Sequence, residues 1–508
     1  MLSKVRTSAI FGMDAIGVDV EVQVRGGIPR FIIIGLADSA VRESRDRVVS
    51  AIKHSGMYLP DQILVNLAPA EVKKEGSSFD LAIALGVLAA SGQIRAERLT
   101  DRSFHGELSL NGNVRPVRGA VVLAIAACEQ KLSGIGVPRE NAAEAALIQG
   151  IDVISVQSLS ELVKHINDDG MGQDLEVLHA EPAGTVRRRF PAISEVVGQE
   201  SAKRAMLIAA AGGHNLLMIG PPGCGKSMLA ARFPGLLAPL DGQQRMETVR
   251  IHSRAGLPVQ GLLDGQRPFR NPHHVISEAG LVGGGSPPRP GEISLAHNGV
   301  LFLDEFPEFR RPALEALRAP LEEGRITVTR ARGSCRFPAR IQLLAAMNPC
   351  PCGRLGVKGS GCQCPHAAIQ QYLKKLSRPI LDRIDLQIEL EAVPLGLMQQ
   401  GAGADLCEDD RMREMVLLAQ ERQIMRQGKN NAGLSSEEAG RLVRLNDKAV
   451  LLIEQASRRM ALSARGYFRV LKVALTIADI EGAERVMPEH VAEAVGLRGL
   501  DRLERCYQ

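Results

Sequence analysis

The sequence predicts an α/β protein built from more than one domain, and three observations carry that prediction. At 508 residues the chain is too long for a single core. Up to about residue 395, stretches of strand period alternate with stretches of helix period, and from 431 onward the helix period dominates. Near the middle, an apolar strand runs directly into a glycine-rich turn and a helix, in "LLMIGPPGCGKSMLAARF" at 216–233.

Residues 1–165 read as a first α/β domain. "VDVEVQV" alternates, "PRFIIIGL" has the length of a buried strand, and "DSAVRESRDRVVSAIKHSG" is a helix capped by Asp38 or Ser39. Strand "QILVNLAP", helix "FDLAIALGVLAASG", strand "HGELSLNGNVRPV", a helix from Arg118 and strand "GIGVP" follow. Residues 166–190 are polar, punctuated by Gly and Pro and closed by three arginines, and read as a linker. Residues 191–395 form the second α/β domain. Residues 396–430, with "QQGAGADLCEDD", read as a second linker, and 431–508 as a helical domain in which Pro488 opens the final helix.

Composition narrows the function classes. The hydrophobic fraction of 45% and charged fraction of 23% are those of a globular protein. No apolar run spans a bilayer and no apolar leader opens the chain, so a cytoplasmic protein is expected. Thiols stay reduced there, and clustered cysteines then point to metal or catalysis rather than disulfides. The net charge of +5 permits a nucleic-acid partner without demanding one. With no Trp and only 3% aromatic residues, base stacking is not expected to carry nucleic-acid binding; if DNA binds, phosphates are the expected contacts.

The segment Gly220-Pro221-Pro222-Gly223-Cys224-Gly225-Lys226-Ser227, followed by Met228, is G-x-x-x-x-G-K-[ST] between a strand and a helix. Such a loop cradles phosphates with backbone N–H groups, aided by the helix dipole. Lys226 reaches the β- and γ-phosphates of ATP and Ser227 holds Mg²⁺. Downstream, strand "NGVLFLDEFPEF" ends in Asp304, a second Mg²⁺ ligand, and Glu305, which polarises the attacking water. Strand "IQLLAAMNP" ends in Asn348, a further water-positioning side chain. Arg383 in "LSRPILDRIDLQIEL" and Arg465 and Arg469 in "SARGYFRVLKVA" complete the order: loop, Asp-Glu, Asn, Arg, helical domain with Arg.

In that order the chain resembles AAA+ ATPases of the magnesium-chelatase-like group and, more narrowly, the ComM/YifB family of bacteria. The blocks "VVGQESAKRAM", "GPPGCGKS", "PFRNPHH", "GEISLAHNGVLFLDE", "AAMNPCPCG", "LLDRIDL" and "SARGYFRVLKVALTIADIEG" carry the likeness over nearly the whole chain. The resemblance implies a homo-hexameric ring with ATP between subunits. It makes Asn348 sensor 1 and Arg383 an arginine finger acting on the neighbour's ATP. Arg469 is sensor 2 in Gly466-Tyr467-Phe468-Arg469, with Arg465 its rival. The fold class expected is a P-loop AAA+ core with a C-terminal helical lid and an N-terminal Lon-protease-like (ribosomal S5 domain 2-like) α/β domain. "KEGSSFDLAIALG" is similar to the Lon segment whose serine is the nucleophile, which places Ser78 there. The partner lysine of that family falls on Leu123, so a catalytically dead protease fold is expected, with Lys73 or Lys74 the alternative bases.

Two further features are expected to serve the motor. "RITVTR" and "SCRFPARI" joined by "RARG" read as a hairpin with Arg330 and Arg332 near its tip. In helicase-like relatives such a hairpin faces the pore, where arginines grip a phosphate backbone without reading sequence. His273 and His274, adjacent and without a cysteine partner, read as structural or pore-lining. In "MNPCPCGRLGVKGSGCQCPH", Cys350, Cys352, Cys362 and Cys364 form two C-x-C pairs that fit a structural Zn²⁺, with His366 a spare ligand.

The function expected is an ATP-driven DNA motor, a helicase or branch-migration enzyme acting on single-stranded or branched DNA. It would support DNA integration in natural transformation or homologous recombination. The alternatives are a protein unfoldase, which usually carries an aromatic pore loop where this chain has "RARG", and a magnesium-chelatase motor subunit, expected to lack a Lon-like domain.

Overall fold

Period-two burial along the first strands lays one sheet face against a helix. The computed structural model describes residues 2–11, 13–36, 38–71, 74, 76–168, 177–178, 190–285, 288–330, 333–355, 361–392, 406–460 and 462–498. It divides into two units, residues 1–186 with 245–264, and 187–244 with 265–508.

In the first unit β1 (Leu2–Phe11) and β2 (Asp14–Arg25) form an antiparallel hairpin. The edge strand β3 (Arg30–Ile34) pairs parallel with β4 (Gln62–Ala68), which is antiparallel to β2. β5 (Arg102–Phe104) joins β1, a short ribbon is made by β6 (Glu107–Leu108) and β7 (Val114–Arg115), and β8 (Gly134–Pro138), β9 (Asp152–Val156) and β10 (Val177–Leu178) complete an eight-stranded sheet ordered β10-β9-β8-β5-β1-β2-β4-β3. Val5, Val20, Val22, Val65 and Leu67 are buried on one face. Against it lies helix Asp80–Ala90, buried almost throughout. Gly86 permits the close approach, since a Cβ there would stand 2.6 Å from Val22 Cγ2. Asp38, not Ser39, caps helix Ser39–His54.

The expected buried strand "FIIIGL" is corrected. β3 is an edge strand, with Phe31 to Ile33 only half-buried and Ile34 46% exposed. A run of isoleucines looks fully buried in sequence whether one face is covered or two.

This unit also takes in residues from the middle of the chain. Helix Gly242–Ala255 brings Arg250 to Asp14 (3.0 Å) and Glu129 (3.1 Å), and Ser253 Oγ donates to Glu144 at 2.6 Å. The domain expected to end at residue 165 is therefore discontinuous.

The second unit is built on five parallel strands ordered β12-β15-β18-β11-β19. They are β11 (Leu216–Ile219), β12 (Phe269–Arg270), β15 (Gly299–Leu303), β18 (Ile341–Met347) and β19 (Leu386–Glu389), with two-stranded ribbons β13 (Gly283–Gly284)–β14 (Arg289–Pro290) and β16 (Arg325–Arg330)–β17 (Gly333–Pro338) between them. β11 and β15 are fully buried, as a parallel sheet covered on both faces requires. The expected linker 396–430 is corrected over its described part. Residues 406–427 form a 22-residue helix whose Met412, Val416 and Ala419 belong to the same core as Ala205–Ala211. Its polar composition hid a narrow apolar stripe. Helices Ser436–Leu442, Asp447–Met460, Ala464–Glu481 and Pro488–Gly496 follow. No helix among the described residues is long and apolar enough to cross a membrane.

Two buried groups make this fold testable. His105 is fully buried, within 3.2 Å of Thr7 Oγ1 and 3.3 Å of Ser103 Oγ, and burial pushes its pKa down to about 3. In the unfolded chain an imidazole titrates near about 6.5. Below that pH the unfolded state binds a proton that the native state refuses, so stability falls as pH falls, by about 1.4 kcal/mol per unit. The urea midpoint is expected to drop between about pH 7 and about pH 5.5 more steeply for the wild type than for His105→Asn. Asp479, with its side chain 4% exposed, accepts from Arg426 at 2.6 and 2.8 Å and from Asn431 Nδ2 at 2.8 Å. Asp479→Ala leaves a half-buried guanidinium unpaired and is expected to cost about 3–5 kcal/mol in urea unfolding of the intact chain.

Candidate functional site

Parallel register brings the loops at the strand ends together. Ile219 of β11 pairs with Met347 of β18, and Leu303 of β15 with Ala345. Gly220, Asp304 and Asn348 therefore leave the sheet at one edge. Gly220 N–H donates to Met347 O at 3.1 Å. The loop then turns through Gly223 and Gly225, both in the left-handed region (φ 77° and 94°), into helix Lys226–Arg232. Gly220 has no room for a side chain, because a Cβ would meet Cys224 Sγ and Leu390 O at 2.8 Å each.

Lys226 is 9% exposed. Its ammonium donates to Gly220 O (2.7 Å), Pro221 O (2.9 Å) and Asn348 Oδ1 (3.3 Å), with Cys224 Sγ at 3.8 Å. All are uncharged. A buried cation with only neutral partners fits an anionic ligand such as a phosphate chain. Ser227 Oγ donates to Asp304 Oδ2 at 2.5 Å, so the two oxygens expected to hold Mg²⁺ already face one another. Met228, next on the helix, is 45% exposed.

Glu305 follows Asp304 in the left-handed region (φ 52°), its N–H donating to Asp304 Oδ1 at 2.9 Å. Its carboxylate lies 2.9 Å from His274 Nδ1. His274 in turn lies tilted by 34° against His273 (4.3 Å between ring centres) and makes an edge contact with Phe309. The sequence reading left His274 as structural or pore-lining. No sequence signal gave this contact: "NPHH" follows β12, which the structure pairs parallel with β15, so both strands empty at the same edge.

The four cysteines converge. Their sulfurs all lie within 4.8 Å of one another, with Cys350–Cys352, Cys352–Cys362 and Cys350–Cys362 at 3.4, 3.6 and 3.7 Å. Sulfurs around a tetrahedral zinc stand about 3.8 Å apart, for Zn–S bonds of about 2.3 Å, so the donor set fits that ion. The backbone N–H of Arg354, then the neighbouring thiols, hold Cys352 down at about 6, whereas burial pushes Cys350 up. His366 is not among the converging groups.

The arginines gather elsewhere. Arg383, Arg465, Arg469 and Lys472 line one cavity of about 160 Å³ with Glu322 and Asp382. Arg383 pairs with Glu322, and Arg469 lies 3.4 Å from Asp382. Arg383 Nε and Arg469 Nη2 are nevertheless buried without a hydrogen-bond partner. Asp385 anchors the region. Although burial pushes its carboxyl up, His214, Arg469 and the Asn215 N–H outweigh burial and hold it below the usual carboxylate range. His214 Nε2 also bonds Thr476 Oγ1 at 2.8 Å, tying helix Ala464–Glu481 to the foot of β19. β19 runs parallel to β11, with Leu386 opposite Leu216. Arg383 thus precedes the strand at the end opposite the P-loop, a strand length of roughly 13 Å away at about 3.3 Å per residue.

In the hairpin of β16 and β17, Arg330 pairs in register with Gly333; Arg332 lies outside the described residues. In the first unit Leu123 is buried (1% exposed) within helix Ala120–Glu129. Lys74 is fully buried and bonds Pro69 O, and burial pushes its pKa down. Lys73 lies outside the described residues.

Comparison with known proteins agrees in extent with this geometry. Profiles described as magnesium chelatase subunit ChlI match residues 192–397, subunit ChlI of Mg-chelatase residues 20–141, and the ChlI C-terminal part residues 408–498. Competence protein ComM of Haemophilus influenzae is 43% identical over 504 residues, covering 99% of this chain and 98% of that protein. YifB of Escherichia coli is 42% identical over 508 residues, with the same coverage. Lon protease 1 of Syntrophobacter fumaroxidans is 27% identical over 187 residues, 34% of this chain and 22% of that protein.

Proposed function

We propose that this chain, which belongs to the ComM/YifB family of magnesium-chelatase-like AAA+ proteins, is an ATP-hydrolysing ring motor that moves on DNA. The buried Lys226 ammonium with only neutral partners, beside the Ser227–Asp304 pair, carries the nucleotide part of this reading. Lys226 binds the β- and γ-phosphates and Ser227 and Asp304 hold Mg²⁺, which neutralises charge developing on the phosphates. Glu305 orients the attacking water and Asn348 fixes it. Arg383 and Arg469, with Arg465 at the cavity rim, sit at the wrong end of the sheet for their own phosphates. They complete the site of the next subunit, which makes the active form a homo-oligomeric ring, taken as a hexamer.

The DNA part rests on full-length likeness to a competence protein and on the basic hairpin of Arg330 and Arg332, suited to single-stranded or branched DNA. In this reading the motor drives branch migration or unwinding during integration of incoming DNA. Absence of a Lon-like domain cannot set chelatase motors apart, because the profile matching residues 20–141 itself carries the chelatase description. The four thiolates hold one structural Zn²⁺.

Three measurements test the proposal. Lys226→Ala is expected to abolish binding of a fluorescent ATP analogue, while Glu305→Gln keeps binding and loses about 10²-fold or more in turnover. Single-stranded or branched DNA is expected to stimulate ATPase rate, and Arg330→Ala/Arg332→Ala to lose that response; ATP turnover indifferent to DNA would move the unfoldase and chelatase readings ahead. Arg383→Ala alone is expected to lose about 10³-fold in turnover. Mixing it with Lys226→Ala protein restores part of the rate, since an intact composite site forms wherever the P-loop of an Arg383→Ala subunit faces the arginine of a Lys226→Ala subunit; no recovery in mixed rings rules out action across subunits.

A further inference from the structure

The four-cysteine knuckle lies against the P-loop itself. Gly353, one residue beyond Cys352, turns in the left-handed region (φ 74°), and its N–H donates to Cys350 O at 2.9 Å. A Cβ on Gly353 would stand 2.6 Å from Pro222 Cδ, 2.9 Å from Pro222 Cγ and 3.8 Å from Asn348 Cγ. The knuckle backbone is therefore pressed on the proline in the middle of the phosphate loop and on the side chain that reaches Lys226. The second thiolate pair is fixed as well. Two residues after Cys364 begins helix His366–Leu373, whose buried Tyr372 lies beside the backbone of Asn348. Asn348 thus accepts from the P-loop lysine on one side and neighbours the helix leaving the knuckle on the other.

We infer that metal bound by Cys350, Cys352, Cys362 and Cys364 braces the nucleotide loop of its own subunit, so that ATP binding depends on the metal. The ligand is a thiophilic divalent cation of zinc type, given four sulfurs at tetrahedral spacing. The energetic reason is linkage. Four thiols in contact gain little from one another, whereas closing them on a metal supplies folding free energy to the loop that contains them. That loop spans from Asn348 to the helix carrying Tyr372, and Gly353 passes its position to Pro222. Without the metal the same chain segment has no fixed seat on the proline, and the binding-competent P-loop becomes a minor population. This inference rests on the reading of the P-loop as the ATP site.

The test uses the full-length protein, diluted until it is monomeric so that ring assembly does not enter. Zinc per chain is measured by elemental analysis, and affinity by titration with a fluorescent ADP analogue, for protein as purified, after chelation and after zinc is returned. The expected result is one zinc per chain, an analogue affinity about tenfold weaker after chelation, matching a competent fraction near one in ten, and recovery on adding zinc. A Gly353→Ala variant is expected to keep its zinc yet bind the analogue more weakly, which separates the contact with Pro222 from metal loss and from misfolding. Stripped protein that binds the analogue as tightly as loaded protein overturns the inference and leaves the metal site standing. Protein that takes up no zinc overturns the metal reading. Zinc-loaded protein that binds no nucleotide overturns the reading of the P-loop on which both rest.

Discussion

A parallel sheet has two different ends, and the ATPase unit is organised by that polarity. The C-terminal ends of β11, β15 and β18 bring the phosphate loop, Asp304 and Asn348 to one edge. The N-terminal end of β19 holds Arg383 and Asp385 at the other. A side chain at one end does not cross a strand length to the loops at the other. His214, which bonds Thr476 and lies 3.5 Å from Asp385, fixes the lid helix at that same foot, so Arg469 shares the polarity of Arg383. One chain consequently carries the P-loop at one end of this sheet and a cationic cavity near the other.

What could be read from the sequence follows from how local each feature is. The P-loop, the Asp304–Glu305 strand end and the β16–β17 hairpin are continuous segments whose residue order dictates their geometry, and they stand where that order put them. The cysteines were legible for the same reason, since two C-x-C pairs on one short segment can only meet. The contact of His274 with Glu305 was not legible, because it depends on β12 and β15 being neighbours in the sheet, which neither strand encodes alone. The helix at 406–427 escaped notice because exposed charged positions outnumber its buried ones.

In the first unit, burial sets the surroundings of the segment that is similar to the Lon serine loop. Leu123, expected from the resemblance to take the place of the Lon lysine, packs within a helix whose every turn is buried. An amine there would sit in an apolar wall. Lys74, the lysine nearest the serine loop, is turned inward to Pro69 O. The buried carboxylate of Asp80 keeps its place by bonding Arg47, Ser44 and the N–H of Leu108, which fixes the start of the helix after Ser78 without any call on that serine.

Because Arg250 and Ser253 supply bonds to Asp14, Glu129 and Glu144, the first unit takes in a helix encoded after the phosphate loop. On the ribosome the chain emerges from its N-terminus, and domains generally fold as their last residue clears the exit tunnel. Here that last residue is Asp264, so the N-terminal unit stays incomplete while the first part of the ATPase is already being made. The two units mature as interleaved products of one synthesis. A fragment cut at the polar segment after residue 165 lacks one of its own helices.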